Sequence, residues 1–278
     1  VTDSSPISQA TLDSLWDFSD LAASAERFRL AVNDENRPAA DRIELATQLA
    51  RAFGLLGRFT EADAVLDAAL AAVGAPVEDH APAVAGDSAA VVGTAVPAPT
   101  NERLLARIAL ERGRLRVNAE RPAEGVPFFT LAARHAAAAG SQFLALDALH
   151  VLALVDAGHE EEWAADGLAL LETVTDARVR RWGVALHNNL AWHLHDSGRP
   201  EEALAHFELA VATADSVGTS DQRFIGRWAL GRCLRTLGRT DEARAIQERL
   251  AAERPDDEFV RTELAELAEL SDSPATPE

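Results

Sequence analysis

The sequence predicts an all-α protein: a solenoid of about five stacked helical hairpins, with capping helices at its two ends. Three observations carry this. Gly158, Gly198 and Gly238 recur at a spacing of 40 residues, each between two helical runs. Apolar residues inside those runs repeat at i, i+3, i+4 and i+7, the spacing of one helix face. Alanine and leucine, both strong helix formers, dominate the composition, and no segment alternates with the period of a strand.

The elements follow in order. Residues 1–38, with TLDSLWDFSDLAASAERFRLAV, read as N-terminal capping helices. Residues 39–74 form the first hairpin, QLARAFGLLGRFTEADAVLDAAL. Residues 75–100 are rich in Ala, Pro, Gly and Val without helical period, and read as a long mobile loop. Residues 101–255 supply four further hairpins. Residues 256–270, with DDEFVRTELAELAEL, read as a C-terminal capping helix over the last apolar face, and 271–278 as a disordered tail.

Each hairpin repeats one design. The first helix carries a small residue where its partner crosses closely: Ala50, Gly113, Ala191 or Gly231. A glycine then ends the helix, because it tolerates the left-handed cap conformation. The second helix offers a small residue beneath its neighbour, Ala62, Ala203 or Ala243, and one turn later a larger one, Leu66, Phe129 or Phe207. Residues 143–172 depart from this, since Trp163 holds the small-residue position of the second helix, and looser or rotated packing is expected there.

The phrases NLAWHLHDSGRPEEALAHFELAVA and LGRCLRTLGRTDEARAIQ carry a resemblance to the tetratricopeptide repeat family. It is good over 43–70, weaker over 105–136, poor over 143–172, and extends across residues 40–255. The period of 40 exceeds the usual 34 and predicts helices longer by a turn or more. LWDFSD, DALHVLA, LHNNLAWHLHD and RWALGRCLRTLGR are similar to phrases of an uncharacterised bacterial subfamily of these repeats, which brings no activity with it. The resemblance implies a right-handed superhelical solenoid that binds a protein or peptide partner. It also implies that the first helix of each hairpin lines a concave groove.

Aligned on their turn glycines, the first helices place Arg51, Arg114, Leu152, Trp192 and Arg232 in one inward row. A second row holds Thr47, Leu110, Ala148, Asn188 and Trp228, and a third His195, Asp196 and Arg235. The ligand-binding candidates are Arg114, Asn188, Trp192, His195, Trp228, Arg232 and Arg235. Arginine forks grip carboxylates, tryptophan offers flat apolar area, and asparagine holds a backbone amide. The expected occupant is an acidic peptide or a small carboxylate-bearing ligand. The competing reading is that these arginines pair with Asp196, Asp147 or Glu263 and only organise neighbouring repeats.

Catalytic readings are weaker. Asp147 and His150 stand at i, i+3 and can share a helix face, and with Asp196 they form a candidate polar network. An enzyme would use His195 or His150 as general base. Histidines 193 and 195 point apart on a helix, no metal-ligand spacing is present, and neither metal nor cofactor is expected. Cys233 reads as packed core beside Gly231. A third reading is a structural module that forms a homodimer through apolar helix faces.

Composition sets the limits. The chain has 278 residues, 47% hydrophobic, with a net charge of -19 and all 26 basic residues arginine. That charge repels phosphates, so neither nucleic acid nor an anionic membrane surface is expected as a partner. The single cysteine excludes an internal disulfide, and no apolar stretch approaches a membrane span. VTDSSPISQ has no basic or apolar leader features, so a cytoplasmic location is expected.

Overall fold

A computed structural model of the chain describes residues 7–74 and 99–272. The segments expected as mobile loop and disordered tail therefore lie outside the described residues, except where 99–100 and 271–272 belong to helices.

The described residues form helices and no strand. Helices α1 (Gln9–Leu15) and α2 (Leu21–Val32) precede the pair α3 (Ala39–Leu55) and α4 (Phe59–Val73). The next are α5 (Pro99–Asn118), α6 (Pro122–Ala138) and α7 (Gln142–Val155). The chain continues through α8 (Glu160–Glu172), the single turn α9 (Ala177–Arg180), and the pair α10 (Trp182–Asp196) and α11 (Pro200–Val217). The pair α12 (Ser220–Thr236) and α13 (Thr240–Glu253) and the final α14 (Glu258–Asp272) complete it. Two compact units divide the chain, Val1–His159 and Glu160–Glu278.

The turn inside a hairpin has a fixed chemistry. Gly57, Gly198 and Gly238 have φ of 73°, 78° and 73°, and the residue after each returns its N–H to a carbonyl five residues back: Arg58 to Phe53, Arg199 to Leu194, Arg239 to Leu234. This is the Schellman closure of a helix end. Glu120 takes the same role between α5 and α6 at φ 61°, without being glycine, and the Arg121 N–H reaches the Arg116 carbonyl. The arginine that follows each turn then forks or reaches the glutamate three residues on, as in Arg58–Glu61, Arg121–Glu124, Arg199–Glu202 and Arg239–Glu242. Those glutamates lie in the first turn of the second helix, where the helix dipole favours negative charge.

Close crossings rest on the small residues. Ala50, Ala62, Ala191, Ala203 and Ala243 are fully buried, as are Leu66, Phe129 and Phe207. A Cβ on Gly113 would come within 2.6 Å of the Phe129 ring, so that helix pair closes only around glycine. In α8 the buried positions are Ala164 and Gly167, while Trp163 is only partly covered. The register there is shifted by one residue from the glycine-aligned expectation, because burying an indole at a crossing built for a methyl group would overpack it.

The chain before α3 breaks into two helices rather than one. The Asp20 carboxylate caps α2 by accepting from the Ala23 N–H, and the Ser24 hydroxyl donates to the Asp17 carbonyl. Between them the Trp16 ring packs on Phe28 and Phe18, each at 5.0 Å, and its Nε1–H donates to Gln48 Oε1 at 3.2 Å.

Candidate functional site

In unit 2, α10 and α12 are neighbours, and each presents two candidates one turn apart on one face: Asn188 and Trp192, then Trp228 and Arg232. The two indoles stand 5.9 Å apart. Phe207 of α11 packs edge-on against Trp192 at 5.0 Å, and Phe259 of α14 packs edge-on against Trp228 at 5.8 Å. The result is a row of four aromatic rings. Phe259, 69% exposed, is its open end.

Arg232 sits over this row. Its guanidinium carbon is 5.6 Å from the Trp192 ring centre and 5.7 Å from that of Trp228, a double cation–π arrangement. Its side chain is 42% exposed, and its nearest carboxylate, Glu263, is 3.8 Å away. Arg235 differs. It forks Glu263 through Nε at 2.8 Å and Nη2 at 3.1 Å, and its side chain is only 20% exposed. The hydrogen bonds it donates to Glu263, opposed by burial, leave the Arg235 guanidinium more firmly protonated than usual. The pairing weighed for these arginines is therefore realised by hydrogen bonds at Arg235, whereas Arg232 meets Glu263 only as a long ion pair.

Two polar atoms of the row have no hydrogen-bond partner although they are buried: Asn188 Oδ1, an acceptor, and Trp228 Nε1, a donor. The Asn188 amide nitrogen donates weakly to Asn189 Oδ1 at 3.4 Å. Buried polar atoms are normally satisfied, so such a pair marks a place where a ligand or water completes the structure.

His195 is engaged on both ring nitrogens, with Asp196 Oδ1 at 3.1 Å from Nδ1 and Thr236 Oγ1 at 2.9 Å from Nε2. That leaves it no lone pair aimed at a substrate, which argues against a base role. Its ring packs edge-on to Trp192 at 5.4 Å. Cys233 is fully buried, burial pushes its thiol up to about 11, and its S–H points to the Pro200 carbonyl at 3.4 Å. It is core, not nucleophile.

The remaining candidates belong to unit 1. Arg114 bridges Glu111 at 2.5 Å and Asp147 at 2.6 Å. Burial disfavours charge on Arg114 and on Asp147, and their mutual attraction outweighs it, so the guanidinium is held above and the carboxyl below its ordinary pKa. Burial, partly countered by Asp147, lowers the pKa of His150. Here too the arginine is committed to carboxylates. The sequence reading missed the rest of this network: Glu44, almost fully buried, receives Arg103 at 2.7 Å and Arg107 at 3.2 Å. Its signal was a glutamate on the apolar face of α3. A second unforeseen pair is His187 and His206, whose Nδ1 atoms face each other at 3.0 Å.

Among the described residues no three His, Cys, Asp or Glu side chains converge as a metal site would require, and no helix is long and apolar enough to cross a membrane.

The hairpin geometry and the aromatic row define unit 2 as a helical-repeat module with a polar-edged apolar wall. Residues 184–252, most of α10 through α13, match the tetratricopeptide repeat family, and this stretch of the chain is tetratricopeptide repeat. The crystal structure of BtubC (BKLC) from P. vanneervenii is similar to the chain at 16% sequence identity, over 96% of this chain and 95% of that one, with a TM-score of 0.60. At that identity the likeness speaks for the all-α fold alone. No curated protein matches the sequence.

Proposed function

We propose that the protein is a binding scaffold whose C-terminal repeats hold an acidic peptide, or another carboxylate-bearing ligand, against the Trp192–Trp228 wall. The repeat family supports a protein-interaction role. The observation that carries the finer reading is Arg232, poised over both indoles with only a long, 3.8 Å ion pair to Glu263, while its neighbour Arg235 is consumed by that carboxylate. A carboxylate meeting Arg232 gains a planar two-bond fork, and the chain behind it gains the aromatic wall. The unpartnered Asn188 acceptor and Trp228 donor complement the N–H and C=O of a peptide unit. Asp196 and Thr236 hold His195 as a support of Trp192.

Calorimetric titration of the full chain with an acidic hexapeptide and with succinate tests this. Arg232→Ala should weaken binding by about 1.5–3 kcal/mol and leave the melting temperature nearly unchanged. Arg232→Lys should restore only part, and added salt should weaken the wild-type complex. Unchanged affinity together with a lowered melting temperature would overturn the reading and make Arg232 a structural partner of Glu263.

A further inference from the structure

Unit 1 holds a charge network that does not close. Glu44, Glu111 and Asp147, all buried, are set against Arg51, Arg103, Arg107 and Arg114, one guanidinium more than the carboxylates. Arg103 and Arg107 share Glu44, and Arg114 takes Glu111 and Asp147. Arg51, in the last turns of α3, shares none of these ion pairs: Glu111 and Asp147, both taken by Arg114, favour its charge only through space. Burial, then the charge of Arg114, works against its own charge, yet it remains a guanidinium in a chain whose net charge is -19.

Its surroundings are built and fixed. The Arg51 guanidinium carbon lies 5.7 Å from the centre of the Trp16 ring. Trp16 is itself immobilised by the Gln48 hydrogen bond and by Phe28. Arg51 is only partly covered, so solvent reaches it. In the same network Glu111 Oε2 is buried without a hydrogen-bond partner. Packing on the indole leaves the N–H edge of the guanidinium for an acceptor, and nothing in the described chain supplies one.

We propose that Arg51 is a carboxylate-binding site of unit 1, in which an incoming carboxylate accepts from the guanidinium edge above the Trp16 ring and supplies the negative charge that the network lacks. The carboxylate belongs either to a small free acid or to an acidic residue of a peptide; both present the same planar acceptor. The site shares no residue with the Trp192–Trp228 wall and stands or falls separately from it.

The test follows the Arg51 Nε–Hε signal by NMR in the full chain, assigned by its loss in Arg51→Gln, while succinate, an acidic hexapeptide or inorganic phosphate is added. A saturable shift with succinate supports the small-acid source, and one with the hexapeptide alone the peptide source. In calorimetric titration on an Arg232→Ala background, Arg51→Gln should weaken binding of the same carboxylate about ten- to a hundred-fold, as expected for a charge-assisted hydrogen bond, and should not lower the melting temperature. Arg232→Ala should leave the shift intact. No saturable shift with either carboxylate, or tighter binding of phosphate than of both, overturns the proposal. So does a large stability loss in Arg51→Gln with no carboxylate effect, which would mean that Arg51 serves Glu111 as a structural countercharge.

Discussion

Arg235 holds the buried carboxylate of Glu263 with a two-bond fork, Nε at 2.8 Å and Nη2 at 3.1 Å, joining α12 to α14. Removing one partner of such a pair strands the other. Arg235→Ala should therefore cost about 3 kcal/mol in urea unfolding, unless Arg232, 3.8 Å away, swings onto Glu263. That rescue would itself be visible as weaker carboxylate binding, because Arg232 would then be occupied. A variant that is neutral in both stability and binding would contradict the pairing.

Arg114 serves two carboxylates at once, and Glu111 is fully buried. Arg114→Ala should cost about 3–5 kcal/mol, more than any single surface arginine of the turn motifs. The Asp147 carboxyl is held below its ordinary 3.8 in the fold. Its contribution is thus complete above that value and is lost as pH falls below it. Acid unfolding curves of wild type and Arg114→Ala should converge at low pH; curves that stay parallel would remove Asp147 from the account.

His187 and His206 bring their Nδ1 atoms to 3.0 Å, so one proton at most fits between them. Burial, then the charge of His206, pushes His187 down to about 4 from 6.5, and burial lowers His206 as well, against the pull of Glu161 and Glu202. The unfolded chain takes up these protons first. Stability is full above about pH 6.5 and should decline as pH falls from there toward about 4. His187→Gln should flatten the melting-temperature profile across that window. A profile with the wild-type slope would show that the pair does not govern it.

Glu120 occupies the left-handed turn position held by glycine at 57, 198 and 238, with φ 61°. A side chain there costs about 1–2 kcal/mol. Glu120→Gly should raise stability by about 1 kcal/mol, after the greater flexibility of glycine in the unfolded chain is subtracted. A loss of stability instead would mean that the exposed Glu120 side chain contributes more than its backbone strain costs.

The hairpins were legible because their determinants are local. A glycine at a helix end, an alanine five residues later and a phenylalanine one turn beyond lie within a few residues of each other. Their period alone placed Ala203 and Phe207 in the core, where both are fully buried. The same period marked Trp163 as a departure from the pattern, and there α8 turns Ala164 and Gly167 inward instead. The wall was half legible: helical spacing put Asn188 with Trp192 and Trp228 with Arg232, and the two pairs do meet.

What the sequence by itself determined is the repeat: all-α hairpins, their turns and their small-to-large crossings, all set by backbone preference and by side chains a turn apart. What only the tertiary structure decided is which arginines are free. Arg114 finds Asp147 33 residues away, Arg235 finds Glu263 28 residues away, and Arg51 and Arg232 are left facing aromatic rings. In the sequence these four arginines look alike. A guanidinium's availability depends on whether a carboxylate from another helix arrives within hydrogen-bond distance, about 3 Å, and that distance is fixed by packing, not by spacing along the chain.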